Sequence, residues 1–142
     1  MKRNKRNIAS VTLEGEWTFS RDDLDENGHV GFHTVERKVY EVQRQLFTNI
    51  TGTQYEEILR SGGALLHRGF ERSRHSQPIM DNQIVVIRTR LERIRHAVMT
   101  FESEITDKKT SLVLYNEKRK LEYMINDHRA RLPHQFDSYQ IA

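Results

Sequence analysis

Cysteine is missing from all 142 residues of this chain. Its absence excludes disulfides, metal sites built on thiolates and cysteine nucleophiles. Long apolar runs are missing as well, since none approaches the roughly 20 residues that a membrane-spanning helix needs. No secretory leader pattern precedes the first strand pattern. We therefore expect a cytoplasmic protein without a membrane partner.

An excess of one charge sign is also absent from most of the chain. The formal net charge is +3, with 23 Lys and Arg residues against 20 Asp and Glu residues. Four basic residues lie within the first six positions, and without them 19 basic side chains face 20 acidic ones. We therefore expect residues 1–9 to form a basic, flexible tail on a near-neutral body, and we expect no nucleic-acid partner.

The hydrophobic pattern predicts one domain, residues 10–134, that combines strands with one long helix. Hydrophobic residues make up 36% of the chain and charged residues 30%, which is typical of a folded globular domain. Apolar residues alternate in the predicted strands and recur at spacings of three and four in the predicted helices. The helices cover 33–50 and 54–60, and the strands cover 11–19, 64–75, 83–94, 97–105 and 110–125. Periodicity is lost from Asn126, so residues 135–142 are expected to form a C-terminal tail that either packs along the domain or frays.

The order of these elements indicates the α+β fold class. The short turns between the later strands permit only antiparallel neighbours. A single long helix and a single curved sheet bury each other only when the helix lies across one face of the sheet. We therefore expect one antiparallel sheet with the helix packed on it.

The segment from Asp23 to Val30 carries the clearest chemical signal. It reads Asp-Leu-Asp-Glu-Asn-Gly-His-Val, directly after a predicted strand and directly before the long helix. A carboxylate, a glycine turn and a helix N-terminus within eight residues place a base or nucleophile beside groups that stabilise negative charge. That combination suits acyl transfer or thioester hydrolysis.

The same segment resembles the D-x-D-x-x-G-H-V signature of hotdog-fold acyl-CoA thioesterases of the 4-hydroxybenzoyl-CoA thioesterase type. The resemblance continues at His75-x-x-Pro78 with Asp81 and in the paired strand segments 90–94 and 98–105, and it covers residues 10–134. It implies a hotdog fold, with one long central helix wrapped by a five-stranded antiparallel sheet. It also implies a homodimer or homotetramer whose active sites lie at the subunit interface, near the helix N-terminus.

The resemblance further implies roles for individual residues. Asp25 matches the catalytic carboxylate, and the backbone N–H of Phe32 matches the oxyanion donor. Gly31 and His29 are expected to line the approach of the substrate, with a purely structural role in the loop as the alternative for His29. The chain departs from the family pattern at Gly31-Phe32-His33, where asparagines or aromatic residues are usual, and at Val35, where a tyrosine is common. The acyl group is therefore not transferable from the family.

Two basic turns are candidates for binding the phosphates of coenzyme A. The resemblance implies this role for the turn with Arg93, Arg95 and His96, and Lys108-Lys109 forms a second basic turn. Arginine suits phosphate because its planar guanidinium donates bidentate hydrogen bonds. The alternative for both turns is a purely solubilising charge.

Other carboxylates and histidines receive weaker assignments. Asp23 lies two residues before Asp25, on the opposite face of an extended segment, and is expected to be structural or solvated. Glu41 on the long helix is the reserve catalytic carboxylate, with a solvated helix face as the alternative. His29 and His33 suggest a metal pair, but no third ligand has suitable spacing, so we expect no metal.

The leading hypothesis is a thioester hydrolase for an acyl-CoA, or for an acyl carrier protein thioester, with Asp25 as nucleophile or general base. It needs no cofactor, since coenzyme A enters only as part of the substrate. Two alternatives stay open at this point. One is a hotdog dehydratase, which pairs a histidine with a carboxylate, and the other is an acyl-thioester binding or assembly subunit without turnover.

Overall fold

The computed structural model describes residues 11–139, and helix α1 is its central element. Helix α1 spans Phe32–Thr51, and its buried face repeats at spacings of three and four through Val35, Val39, Gln43, Leu46 and Phe47. Gly52 ends the helix in the left-handed conformation, with φ of 73°. A short helix α2, Tyr55–Arg60, follows. In the described part of the chain, no helix is long and apolar enough to cross a membrane.

One antiparallel sheet wraps around α1. Its order is β1-β3-β4-β5-β2, and a two-residue strand β6 adds to β5. The strands are β1 Thr12–Trp17, β2 Gly63–His75, β3 Val85–Arg95, β4 Val98–Asp107, β5 Val113–Ile125 and β6 His128–Arg129. The predicted α+β architecture, with five long strands around one helix, is therefore confirmed. The two edges of the sheet are β1 and β2.

A polar layer divides the core into two apolar clusters. Thr89, Ser103 and Glu117 lie side by side on the inner faces of β3, β4 and β5. Gln43 of α1 reaches down to this layer and donates to Ser103 Oγ (3.0 Å) and to Glu117 Oε2 (2.9 Å). One apolar cluster packs against the N-terminal half of α1 and the other against its C-terminal half. We call them the N-cluster, which includes Val30, Val35, Val39, Ile79, Val85, Ile87, Ile105, Leu114 and Tyr115, and the C-cluster, which includes Leu46, Phe47, Leu91, Phe101, Leu121 and Phe136.

The chain after β5 packs on the domain. Asn126 and Asp127 both have positive φ, and they form the tight turn that leads into β6. The 3₁₀ turn His134–Ser138 then brings Phe136 into the C-cluster, and Tyr139 joins it there. Of the two arrangements expected for the C-terminal tail, its described part thus packs along the domain. The predicted basic tail, residues 1–9, lies outside the described residues.

Candidate active site

Asp25 is held in one orientation by a tight loop. Its Oδ1 accepts the backbone N–H groups of Asn27 (2.9 Å) and His29 (3.1 Å). The loop closes when Asp25 N–H donates to the His29 carbonyl (2.6 Å) and Gly28 N–H donates to the Asp25 carbonyl (3.1 Å). Gly28 has φ of 75°, a conformation that favours glycine. No hydrogen bond among the described residues uses Asp25 Oδ2.

The loop is attached to the segment that follows β2. Val30 is buried, and its N–H donates to the Ile79 carbonyl (2.8 Å). Isolated bridges pair His29 with Met80 and Leu24 with Val30. These contacts fix the position of Asp25 relative to the start of α1, which begins two residues after Val30.

The first turn of α1 has no side-chain cap. The N-cap residue is Gly31, a glycine, which has no side-chain oxygen to accept a hydrogen bond. The first hydrogen bond of the helix runs from the Val35 N–H to the Gly31 carbonyl (3.1 Å). Among the described residues, nothing accepts the backbone N–H of Phe32. Free N–H groups at the positive end of a helix dipole are suited to bind an oxyanion.

Asp25 and the start of α1 share one cleft of about 190 Å³. Asp25, His29 and Phe32 lie at this cleft, so three of the four residues predicted to act on the substrate are brought together. The fourth, Gly31, contributes the turn that precedes Phe32. The inner walls are apolar and come from the N-cluster, mainly Val30, Val35, Ile79 and Leu114.

Asp23 has a different role from Asp25. Its Oδ2 accepts Ser20 N–H (3.0 Å) and Ser20 Oγ–H (3.2 Å), which caps the 3₁₀ turn Arg21–Asp23. Asp23 is not among the residues that line the cleft. This placement agrees with the structural role expected for Asp23 and makes it a matched control for Asp25.

Two residues near the cleft were not assigned to the site from the sequence: His75, which lines the cleft and appeared only within the family resemblance, and Glu36, which contacts His75. His75, at the end of β2, stacks on Phe32 with ring centroids 4.0 Å apart and an interplanar angle of 16°. Glu36 lies one helical turn after Phe32, and its Oε1 is 3.2 Å from His75 Nε2. The spacing of Phe32 and Glu36 was a signal for a shared helix face. The strand pattern gave no sign that His75 ends against that face.

The reserve carboxylate, Glu41, lies away from the cleft. Its side chain is 60% exposed and pairs with Lys38 Nζ at 3.4 Å. The helical carboxylate near the cleft is Glu36, and the reserve assignment of Glu41 is therefore replaced. His33 is exposed, and no group of three or more residues able to hold a metal ion occurs among residues 11–139.

A buried phenol lies beneath His75. The rings of His75 and Tyr115 are 4.4 Å apart, and the Tyr115 hydroxyl donates to Glu117 Oε1 (2.9 Å). Burial, and next the negative charge of Glu117, raise the pKa of Tyr115 well above its usual range. Tyr115 therefore remains a neutral hydrogen-bond donor and does not serve as a base near pH 7.

The basic turn with Arg93, Arg95 and His96 lies at the far end of the sheet from Asp25. The start of β3, at Val85, packs in the N-cluster, whereas its end packs in the C-cluster. Arg93 pairs with Glu71 (2.6 Å). Within one chain, this turn does not meet the cleft.

The basic turn borders a separate groove instead. His96 lies beside a groove of about 750 Å³, together with Arg129 and Arg131 from the C-terminal segment. Lys108, from the second basic turn, is at the same end of the sheet as the cleft. It donates its backbone N–H to the Ile84 carbonyl (3.0 Å), and its Nζ pairs with Glu16 (2.6 Å).

Comparisons with known proteins identify the fold. No family model matches the sequence, and no curated protein matches it. Among solved structures, a 1,4-dihydroxy-2-naphthoyl-CoA thioesterase from Synechocystis matches with a TM-score of 0.78 at 15% identity, over 89% of this chain and 93% of that chain. A DHNA-CoA thioesterase from Staphylococcus aureus matches with a TM-score of 0.75 at 16% identity, over 89% and 84%. A 4-hydroxybenzoyl-CoA thioesterase mutant in complex with 4-hydroxybenzoyl-CoA matches with a TM-score of 0.81 at 9% identity, over 92% and 100%.

These matches define the class of the protein: the chain has the hotdog fold. The agreement extends over nearly the whole of each structure, which confirms the α+β fold predicted from the sequence. Identities of 9% to 16% carry no information on substrate or on reacting residues. The particular 4-hydroxybenzoyl-CoA thioesterase type, and the roles of the site residues, therefore stay predictions.

Proposed function

We propose that this protein is a cytoplasmic thioester hydrolase that acts on an acyl-CoA or on an acyl carrier protein thioester. One observation carries the proposal. The free Oδ2 of Asp25 and the unaccepted N–H of Phe32 belong to the same cleft. The fold supports the same reaction class, because three structures that share it are named as thioesterases.

The chemistry assigns separate tasks to the two groups. Asp25 Oδ2 attacks the thioester carbonyl, or it removes a proton from a water that attacks it. Either step moves negative charge onto the carbonyl oxygen, where Phe32 N–H donates to it. One preorganised donor of this kind contributes about 3 kcal/mol to the stability of the transition state. His29 and the Phe32 ring border the position of the acyl group.

The coenzyme A portion requires a second subunit in this proposal. Arg93, Arg95 and His96 are too far along the sheet to contact a substrate in the cleft of their own chain. Pairing of two subunits through an edge strand brings that turn near a partner's cleft. Strand β2 is suited to such pairing, because it is a long edge strand with Leu66 and Phe70 exposed. We therefore propose a homodimer or homotetramer.

The test is thiol release from a panel of acyl-CoA substrates. Purified protein is expected to release free thiol, and Asp25→Asn is expected to lower kcat by at least about 100-fold. Asp23→Asn is the matched control, because it changes the same group two residues away and outside the cleft. Equal losses in the two variants, or an active Asp25→Asn, contradict the proposal.

A dehydratase is the second candidate, because His75 and Glu36 supply the histidine and carboxylate that proton abstraction next to a thioester carbonyl requires. Hydration of an enoyl thioester without thiol release supports this candidate over hydrolysis. A binding subunit without turnover is recognised by calorimetry, as tight binding of an acyl-CoA with no thiol release and no hydration.

A further inference from the structure

We propose that His75 is the base that activates the hydrolytic water, and that Glu36 is the residue that positions it. This inference rests on the proposed thioester hydrolysis and adds a second reacting group to the cleft. Three points support it: the imidazole of His75 is held in place, only one of its nitrogens has a hydrogen-bond partner among residues 11–139, and an acylated Asp25 cannot act as a base.

The imidazole of His75 is held between two aromatic rings. Phe32 stacks on one side at 4.0 Å, and Tyr115 lies at 4.4 Å with an interplanar angle of 40°. The side chain of His75 is 16% exposed, and the residue lines the same cleft as Asp25. The ring plane is therefore fixed while one edge remains accessible from the cleft.

Glu36 determines which nitrogen of His75 can accept a proton. A carboxylate only accepts hydrogen bonds, so the neutral imidazole has to present Nε2–H to Glu36 Oε1, 3.2 Å away. Nδ1 then carries the lone pair. No hydrogen bond among the described residues involves His75 Nδ1. The neutral imidazole thus holds a free acceptor within the cleft.

Glu36 is itself restrained from more than one direction. Ser73 Oγ lies 3.4 Å from its Oε1 and 3.0 Å from the Tyr115 hydroxyl. Glu36 Oε2 is 3.8 Å from His33 Nδ1. A base, a carboxylate that orients it, and further contacts that hold the carboxylate are the arrangement by which enzymes fix a histidine for proton transfer.

If Asp25 is the nucleophile, hydrolysis of the acylated Asp25 needs a different base. If Asp25 Oδ2 attacks the thioester, a bond forms from Oδ2 to the acyl carbon, and the carbon–sulfur bond breaks to release the thiolate. The acylated carboxyl can no longer act as a base. A water must then attack the anhydride. His75 Nδ1 takes a proton from this water, the water oxygen bonds to the acyl carbon, and Asp25 leaves as a carboxylate. The proton on His75 passes to solvent or to the thiolate.

The decisive variant is His75→Phe, which keeps a ring between Phe32 and Tyr115 and removes both nitrogens. We expect kcat to fall by about 100-fold or more and KM to fall with it, because only hydrolysis of the acyl-enzyme is slowed and kcat/KM still reports the unchanged acylation step. Thiol release is expected to continue for one turnover, as a burst equal to the enzyme concentration, and mass spectrometry is expected to show the acyl group on the protein. Added imidazole is expected to restore turnover, because it can take the place of the missing base.

Glu36→Gln provides a second, milder test and keeps an acceptor for Nε2–H. We expect kcat to fall by about 10-fold with kcat/KM unchanged, since the negative charge that stabilises the protonated imidazole in the hydrolysis of the acyl-enzyme is lost. Glu41→Gln is the control on the same helix and is expected to match the wild type. Equal effects of the two substitutions overturn the role of Glu36.

The possible outcomes separate the two proposals. Wild-type protein that releases no thiol overturns the proposed hydrolysis, and the role of His75 with it. An active wild type with His75→Phe at full turnover overturns the role of His75 alone. Loss of the single-turnover burst in His75→Phe also overturns it, because His75 is then needed before the acyl group reaches Asp25.

Discussion

Removal of Arg119 is expected to destabilise the fold about as much as the loss of a large core side chain. Arg119 is 4% exposed and pairs with Glu117, which is fully buried in the polar layer between the two apolar clusters. The Arg119 Nε donates to Glu117 Oε2 at 2.7 Å, and Nη2 donates both to Glu117 Oε1 and to the Glu36 carbonyl (2.9 Å). Arg119→Met removes the positive charge while preserving most of the side-chain volume.

The magnitude follows from what remains around Glu117. Gln43 and Tyr115 still donate to its carboxylate, so two neutral hydrogen bonds persist. The counter-charge is lost, and a buried charge without its partner costs about 3–5 kcal/mol. Since a domain of this kind has a total free energy of unfolding of about 5–15 kcal/mol, Arg119→Met is expected to be marginally folded.

The assay is urea-induced unfolding of a double-mutant cycle. Glu117→Gln removes the buried charge at nearly constant shape, so Glu117→Gln/Arg119→Met is expected to be at least about 1 kcal/mol more stable than Arg119→Met. Arg90→Met is the control, because Arg90 pairs with Glu102 on the solvated face of the sheet, and a loss of no more than about 1 kcal/mol is expected. A loss below 1 kcal/mol in Arg119→Met, or a double variant no better than that single one, refutes the reasoning.

Three further predictions concern stability. Gly62→Ala is expected to cost about 1–3 kcal/mol in urea unfolding, because φ is +82° and an added Cβ meets the side chain of Asn126; Gly15→Ala, with open space around it, serves as the comparison. Phe136→Ala is expected to lower the melting temperature through a loss of about 3–5 kcal/mol, since Phe136 is buried in the C-cluster; an unchanged melting temperature would show that the C-terminal segment does not belong to the core. Because the pKa of Tyr115 is raised on folding, the unfolded chain releases this proton first, so the free energy of unfolding should fall as pH rises above about 10. The fall should be shallower in Tyr115→Phe.

The main elements were predictable because their buried faces repeat within short windows. The helix expected over 33–50 is Phe32–Thr51, and the strand expected over 64–75 is Gly63–His75. The first strand is shorter than predicted. It pairs with β3 only up to Trp17, and Phe19 turns into the N-cluster from the following segment. Apolar and polar residues still alternate after Trp17 because Phe19 is buried, although this segment no longer pairs with β3.

The C-terminal segment was not predictable in the same way. Phe136 and Tyr139 are buried through a 3₁₀ turn and one further residue, and neither gives a period of two or of 3.6. Their burial depends on the C-terminal half of α1, whose Phe47 stacks on Phe136 at 5.3 Å. Contacts between such distant positions leave no local pattern in the sequence.

The candidate site likewise has one part that a local sequence pattern predicts and one part that only the fold brings together. Asp25, His29 and Phe32 lie within one short segment, so local motif and helix start were enough to group them. His75 lies more than forty residues further along, and it reaches Phe32 only because β2 ends beside the start of α1. The distance of Arg93 from the cleft follows from the length of β3, which spans Val85–Arg95. The sequence pattern marked the turn after β3, but it did not show that this turn lies at the end of the sheet away from the cleft.

The polar layer through the core has a consequence for the redesign of this protein. It separates the residues that shape the cleft from those that anchor the C-terminal segment, and the two clusters share no member. Substitutions at sites more than about 7–10 Å apart, without shared partners, usually have additive effects on stability. Substitutions in the cleft wall at Val30, Ile79 and Leu114 are therefore expected to change the shape of the cleft while Phe47 and its neighbours continue to hold the domain together.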